Sequence, residues 1–240
     1  MIVVSWNVLA DAYLRPEYYR RVDPALLVKG ARTQAIVEKV IGFEAEVVCL
    51  QEAEPALVEA LRARQLTVHF AQKHGRPDGS AIVSKLTAEN IRALHYDDGA
   101  PDRAGSGHVA LLATIAGLTI ASTHLRWDKP GTAANDRWAV REARQLIAEK
   151  PDIVCGDFNF EPGDEVYAMF EQAGFTDAGA HAPTANPNGQ AKRIDYLWCG
   201  PGLRTEPLPV MPIDGETPLP SAIMPSDHLP ISARFTREHQ

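Results

Sequence analysis

Glu46-Val47-Val48-Cys49-Leu50-Gln51-Glu52 sets four apolar residues in unbroken succession and then closes on an amide and a carboxylate. A strand with one face in water alternates apolar and polar residues, so a continuous run points to a strand covered on both faces. Similar short runs, mostly β-branched, recur outward from it. Ile2–Trp6, Glu46–Leu50, Ser80–Ser84, Val109–Ile115, Leu118–Ser122, Ile153–Cys155, Ile194–Cys199 and Ile231–Phe235 all read as strands. Leu26–Ile41 places Ala31, Ala35 and Val40 among charges at helical spacing, and Ala133–Lys150 does the same with Trp138, Val140, Ala143, Leu146 and Ile147. Glu165–Ala173, followed by Gly174, reads as a short helix with a C-terminal stop. Gly200–Pro225 is rich in proline and has no period, so a long loop is expected there. More strands than helices, interspersed, predict an α/β protein in layers, with sheets packed face to face and helices outside.

At 240 residues the chain is expected to form one domain, 1–240. Its 45% apolar and 23% charged residues are ordinary for a globular protein. Lys and Arg number 24 against 31 Asp and Glu, a net charge of −7. That balance excludes a protein that coats nucleic acid by charge alone. It leaves open an enzyme that meets phosphate through a metal ion, which supplies positive charge locally. Cys49, Cys155 and Cys199 sit in or beside apolar runs, as buried reduced thiols do. Met1 leads straight into Ile2-Val3-Val4 with no basic leader, and no apolar run approaches a membrane span. A cytoplasmic monomer without a membrane partner is the expectation.

The polar residues of interest close these runs. Asn7 ends the first, Gln51-Glu52 the second, and Thr123-His124 follows Leu118–Ser122. Gly156-Asp157-Phe158-Asn159 follows Ile153–Cys155, and Ser226-Asp227-His228 precedes the last strand. Asp195 lies one residue into its run, where a buried carboxylate needs a partner. Polar groups at strand ends can converge above one sheet edge. Asp157 and Asn159, two apart, are expected to face one way on extended backbone. Asp227 and His228 are adjacent, and Ser226 and Pro230 beside them imply a bent segment. Taken singly, Gln51-Glu52 reads as a strand terminator and Asp157 as a turn residue. Carboxylates and carbonyl oxygens together are the ligands Mg²⁺ prefers.

In their order, Trp6-Asn7, Leu50-Gln51-Glu52, Ser122-Thr123-His124-Leu125, Gly156-Asp157-Phe158-Asn159, Arg193-Ile194-Asp195-Tyr196 and Ser226-Asp227-His228-Leu229-Pro230 resemble the successive motifs of the endonuclease/exonuclease/phosphatase superfamily. Ser5-Trp6-Asn7-Val8-Leu9-Ala10-Asp11-Ala12-Tyr13, Asp78-Gly79-Ser80-Ala81-Ile82 and Thr123-His124-Leu125-Arg126-Trp127 are similar to its deadenylase, nocturnin and 2′-phosphodiesterase branch. The resemblance implies a four-layered sandwich of two packed mixed β-sheets flanked by helices. It also implies site roles. Glu52 matches the principal metal ligand, with Asn7 beside it on metal or phosphate. Asp157 matches the residue that orients or deprotonates the attacking water or assists the leaving group. Asn159 and His124 match donors to phosphoryl oxygens. His228 matches a histidine held against the scissile phosphate and oriented by Asp195. Asp227 matches a carboxylate behind the metal or on a second one, and Arg193 is expected to bind substrate.

The function so implied is a Mg²⁺-dependent (Mn²⁺ also serving) phosphodiesterase or nuclease acting on RNA, single-stranded DNA or nucleotide ends. A phosphatase acting on a small phosphorylated molecule or lipid headgroup is the first alternative, which the acidic net charge favours. A non-enzymatic binding module is the second, and the intact acidic and histidine positions speak against it. Arg15, Arg20, Arg21, Lys29 and Arg32, with Arg76, Arg126, Lys129, Lys192 and Arg193 near the motifs, could form a local basic rim. Trp127 and Trp138 could stack on a base.

Overall fold

A computed structural model describes residues 1–97, 105–179 and 181–238. Among these the β-branched runs become the central strands of two six-stranded sheets. The first sheet has the order β11 (Leu203–Pro207), β12 (Ile231–Arg237), β1 (Ile2–Asn7), β2 (Val47–Ala53), β4 (Gly79–Ser84), β3 (Thr67–Gln72). The second runs β5 (Ala88–His95), β6 (Val109–Ile115), β7 (Leu118–His124), β8 (Ile153–Asp157), β10 (Asp195–Cys199), β9 (Thr176–Asp177). Both are mixed: β1 with β2 and β7 with β8 are parallel, and the other pairs are antiparallel.

Three apolar layers hold four structural layers together. Val3, Val47, Cys49, Ile82, Leu111, Ile120, Ile153 and Ile231 fill the space between the sheets. On the outer face of the first sheet, Val4, Trp6, Val48 and Leu50 pack against α1 (Thr33–Gly42) and α2 (Pro55–Ala63). On the outer face of the second, Val154, Tyr196 and Trp198 meet α3 (Trp138–Ala148) and α4 (Glu165–Gln172). The run Val47–Leu50 thus sends alternate side chains into two different cores, which is why it shows no polar alternation. The three cysteines are free and buried. No helix among the described residues is long and apolar enough to cross a membrane.

Several boundaries differ from expectation. The helix expected over Leu26–Ile41 begins only at Thr33, because Pro24–Leu27 forms a separate 3-10 turn and Gly30 takes a φ of 81°. The helix expected over Ala133–Lys150 begins at Trp138, where both Asp128 carboxylate oxygens accept from the Trp138 and Ala139 N–H groups at 2.9 Å. The loop expected over Gly200–Pro225 contains β11, and beyond it Asn186 Nδ2 donates to the Asp214 and Thr217 carbonyls at 3.0 and 2.7 Å. That segment is therefore tethered rather than structureless. At Gly156 a Cβ would lie 1.9 Å from the Thr123 carbonyl oxygen, so glycine is what lets β8 approach β7 just before the residues of interest.

Candidate active site

Strand register assembles the cluster. Asn7 pairs with Gln51 across the parallel β1/β2 ladder, while His124 and Asp195 both pair with Asp157 in the second sheet. Three polar side chains therefore stand in a row at one sheet edge, opposite Asn7 and Glu52 on the other. Gln51 points between the sheets, accepting from Ser5 at 3.4 Å and donating to Ser122 at 3.2 Å. Glu52 is re-aimed by a register shift between Leu50 and Ala53, and its backbone sits at φ 57°. A left-handed glutamate is a strained conformation held by its surroundings, a feature that gathers at functional sites.

One amide bridges the two sheets. Asn7 Nδ2 donates to Glu52 Oε1 at 3.0 Å and to Asp157 Oδ2 at 2.9 Å. The other Glu52 oxygen accepts from the Ala10 N–H at 2.9 Å. His228 Nδ1 lies 3.0 and 2.9 Å from the two Asp195 oxygens, and its Nε2 lies 3.7 Å from Asp157. Thr184 donates its hydroxyl to Asp195 at 2.6 Å. His124 presents Nδ1 to Glu52 at 3.7 Å and Nε2 to Asp157 at 3.6 Å.

Burial sets the electrostatics. It raises the Glu52 carboxyl above the usual range, against the opposing pull of Lys73 and Asn7. It pushes Asp157 up to about 7, with Asp195 and Glu52 adding to the rise and His228 and Asn7 opposing it. For His228, burial alone would favour the neutral ring, but Asp195 and Asp157 outweigh it and hold the imidazolium well above its ordinary range. His124 goes the other way, driven well below by burial and then by Lys73, and stays neutral.

Glu52, His124 and Asp157 bring ligand atoms close enough together to share one cation; Asp157, Asp195 and His228 lie as close, but a charged His228 ring has no lone pair to offer a metal. Buried carboxylates whose charged forms are this costly are the donor set a hard divalent ion stabilises, so the residues fit one. Asp227 stands outside both groups: Tyr19 donates to its Oδ2 at 2.9 Å, and its Oδ1 is buried without a partner.

Two expectations need correction. Asn159 does not share a face with Asp157 on extended backbone, because its φ is 57°. Its N–H donates back to Asp157 Oδ1 at 2.9 Å, and its amide turns to His124 Nε2 and the Leu125 carbonyl, both at 2.9 Å. The basic rim is also thinner than expected. Arg32 is buried, donating to the Val8, Leu9 and Pro225 carbonyls and pairing with Asp11. Arg21 pairs with Glu216, while Arg193 pairs with Asp177 and lies over the Tyr196 ring. Sequence reasoning missed Lys73 and Tyr19, which no motif position marked, and gave no role to Asp78 although it opens a quoted motif; only the folded hairpin and loop bring them to the cluster.

A family model described as the Endonuclease/Exonuclease/phosphatase family matches residues 4–228. Human Protein angel homolog 2 is 26% identical over 198 residues, covering 71% of this chain and 36% of that protein. Mouse Nocturnin is 25% identical over 285 residues, covering 98% of this chain and 65% of that protein. The chain thus spans less than two thirds of the length of these curated relatives. In fold it is similar to a crystal structure of ANGEL2, a 2′,3′-cyclic phosphatase, in complex with adenosine-2′,3′-vanadate, with a TM-score of 0.80 at 20% identity over 99% of this chain and 96% of that one. Two mixed six-stranded sheets, a carboxylate and histidine cluster at their facing edges, and a family match over nearly the whole length lead to one conclusion: the chain belongs to the endonuclease/exonuclease/phosphatase family of phosphoesterases.

Proposed function

We propose that this protein is a Mg²⁺-dependent phosphodiesterase that works on RNA ends or short nucleotides. The observation that carries the reading is that Asn7, Glu52, Asp157, Asp195 and His228 converge from both sheets into one cluster joined by hydrogen bonds and a 3.7 Å ion pair between His228 and Asp157. A cleft of about 250 Å³ whose lining includes Trp127, Asn159, Phe160, Glu161, Pro187 and Lys192 opens beside it, joined to it by Asn159, whose N–H donates to Asp157. Trp127 is exposed there, offering a ring to one base, and the space suits one nucleoside rather than a long polymer. The likeness in fold to a 2′,3′-cyclic phosphatase supports a terminal phosphodiester as the substrate class.

In this reading Glu52 would hold the divalent ion, its carboxylate oriented by the Asn7 amide, and the ion would offset negative charge on the phosphoryl group. Asp157 orients the attacking water and accepts its proton as the new P–O bond forms; a carboxyl near neutral pKa suits that task. The His228 imidazolium, kept charged by Asp195, stabilises the charge that develops as the bond to the leaving oxygen breaks. Asn159 and His124 donate to the remaining phosphoryl oxygens.

A phosphatase acting on a small phosphorylated molecule is the second reading, favoured by the net charge of −7 and by the arginines turned to internal partners. A substrate panel with Mg²⁺ and Mn²⁺ decides between them. It compares oligoribonucleotides ending in a 2′,3′-cyclic phosphate, a 3′-phosphate or a 3′-hydroxyl with oligodeoxynucleotides and sugar phosphates. Fastest turnover of an RNA end is expected, and faster turnover of sugar phosphates would replace the first reading with the second.

A further inference from the structure

Lys73 closes the strand-to-strand turn between β3 and β4, and its side chain is 1% exposed. Its Nζ lies 2.6 Å from Asp78 Oδ2 and 3.2 Å from His124 Nδ1. Asp78 is fully buried, and its Oδ1 accepts from the Tyr13 hydroxyl at 2.6 Å. A buried ammonium paired this way carries three donors and no acceptor, so the ring atom facing it has to supply a lone pair. On the far side of the ring, Nε2 lies 2.9 Å from Asn159 Nδ2. The Asn159 amide cannot be turned over, because the same nitrogen donates to the Leu125 carbonyl at 2.9 Å.

His124 therefore stands between two donors with only one lone pair to give. A protonated ring would have none. Charge-assisted hydrogen bonds are roughly twice as strong as neutral ones, so the ammonium takes the lone pair and the proton resides on Nε2. The 2.9 Å contact then sets Nε2–H against the Asn159 N–H, a donor–donor repulsion that an oxygen accepting from both would relieve, with Asp157 3.6 Å away on the Nε2 side. Two adjacent donors without an acceptor await an anionic oxygen.

We infer that Lys73 is a positioning residue that fixes His124 as its Nε2–H tautomer and so completes, with Asn159, a paired donor site for one non-bridging phosphoryl oxygen. The phosphoester half of this statement rests on the proposed function; the tautomer half does not. Nitrogen-15 NMR of the imidazoles in the full chain reads it directly, with the His124 signals assigned by their loss in His124→Gln. The wild type is expected to show a protonated Nε2 and a bare Nδ1, with and without Mg²⁺. Lys73→Arg keeps a cationic donor and should keep the tautomer. Lys73→Met should move the proton to Nδ1, since Asn159 then takes the lone pair, and lower kcat about 10²-fold, the scale of one lost donor in an anion site. Should Lys73→Met fail to fold with Asp78 left unpaired, Lys73→Met combined with Asp78→Asn is read in its place. A proton on Nδ1 in the wild type, or an unchanged tautomer without Lys73, overturns the inference. A tautomer that switches as expected in a protein with no phosphoesterase activity would uphold the positioning role and overturn the phosphoryl site.

Discussion

Replacing Asp195 by asparagine keeps the shape of the His228 partner and removes its charge. The pair is buried, with side chains 8% and 1% exposed, and both Asp195 oxygens sit within 3.0 Å of His228 Nδ1. Removing one member of a buried, hydrogen-bonded ion pair costs about 3–5 kcal/mol, because the other charge is left uncompensated. At about 1.4 kcal/mol per tenfold in rate, that is roughly 10²–10⁴-fold in kcat/KM if the imidazolium is needed in the transition state. The same scale follows from the 10²–10⁴-fold typical of a positioned acid–base group. The pH dependence carries a sign. With Asp195 present the folded pKa of His228 is raised, so the charged-ring requirement fails only as pH rises through that value and sets the alkaline limb, while protonation of Asp157 at about 7 sets the acid limb. In Asp195→Asn the largest influence raising the ring's pKa is gone, the pKa falls, and the loss moves to lower pH. The assay is the pH profile of kcat/KM at saturating metal, using an RNA-end substrate. A fall of less than about tenfold, or an alkaline limb that stays in place, would refute the role assigned to this pair.

Glu142 of α3 is buried, and burial pushes its carboxyl from 4.5 up to about 7 despite bonds from Ser106 and the Arg126 N–H. A carboxyl raised in the folded state contributes fully below the unfolded pKa and loses that contribution as pH rises to about 7. The loss is about 3 kcal/mol at ~1.4 kcal/mol per tenfold in proton affinity. Glu142→Gln should narrow the gap between urea midpoints at pH 5 and pH 8, and an unchanged gap would contradict the burial argument. Salt offers a separate check. With few cations free beside the cluster, the Michaelis constant of a short oligoribonucleotide should rise only shallowly with salt. A log–log slope equal to many phosphates, at about 0.7 each, would reveal a basic channel.

What the sequence made legible follows burial. Val47–Leu50, Ile153–Cys155 and the other central runs are covered on two faces, so their composition alone marks them as strands. Edge strands carry no such mark: Ala88–His95 is largely exposed and holds Glu89, Asn90 and Arg92. Leu203–Pro207 is half polar and lies in a proline-rich stretch, and Thr67–Gln72 is short and mixed. The α2 helix was unread although Leu57, Val58 and Leu61 form its buried face, because the whole element is only nine residues long. At the site, motif residues were legible because most sit at or beside a strand end, and strand register then gathers them. Asn159 was misplaced because a left-handed φ cannot be read from an alternation rule. Lys73 and Tyr19 were invisible because their importance lies in what they touch across the fold, His124 and Asp227.

In the proposed function a cation held by Glu52 is what lets this acidic cluster hydrolyse a phosphoester. The most direct measurement of this is hydrolysis of an oligoribonucleotide ending in a 2′,3′-cyclic phosphate, in excess chelator and again after Mg²⁺ or Mn²⁺ is restored, for the wild type and for Glu52→Ala. Chelation should abolish turnover, metal should restore it in the wild type, and Glu52→Ala should need far more metal or stay inactive. Undiminished turnover in excess chelator, or a Glu52→Ala variant with wild-type metal dependence, would contradict the account.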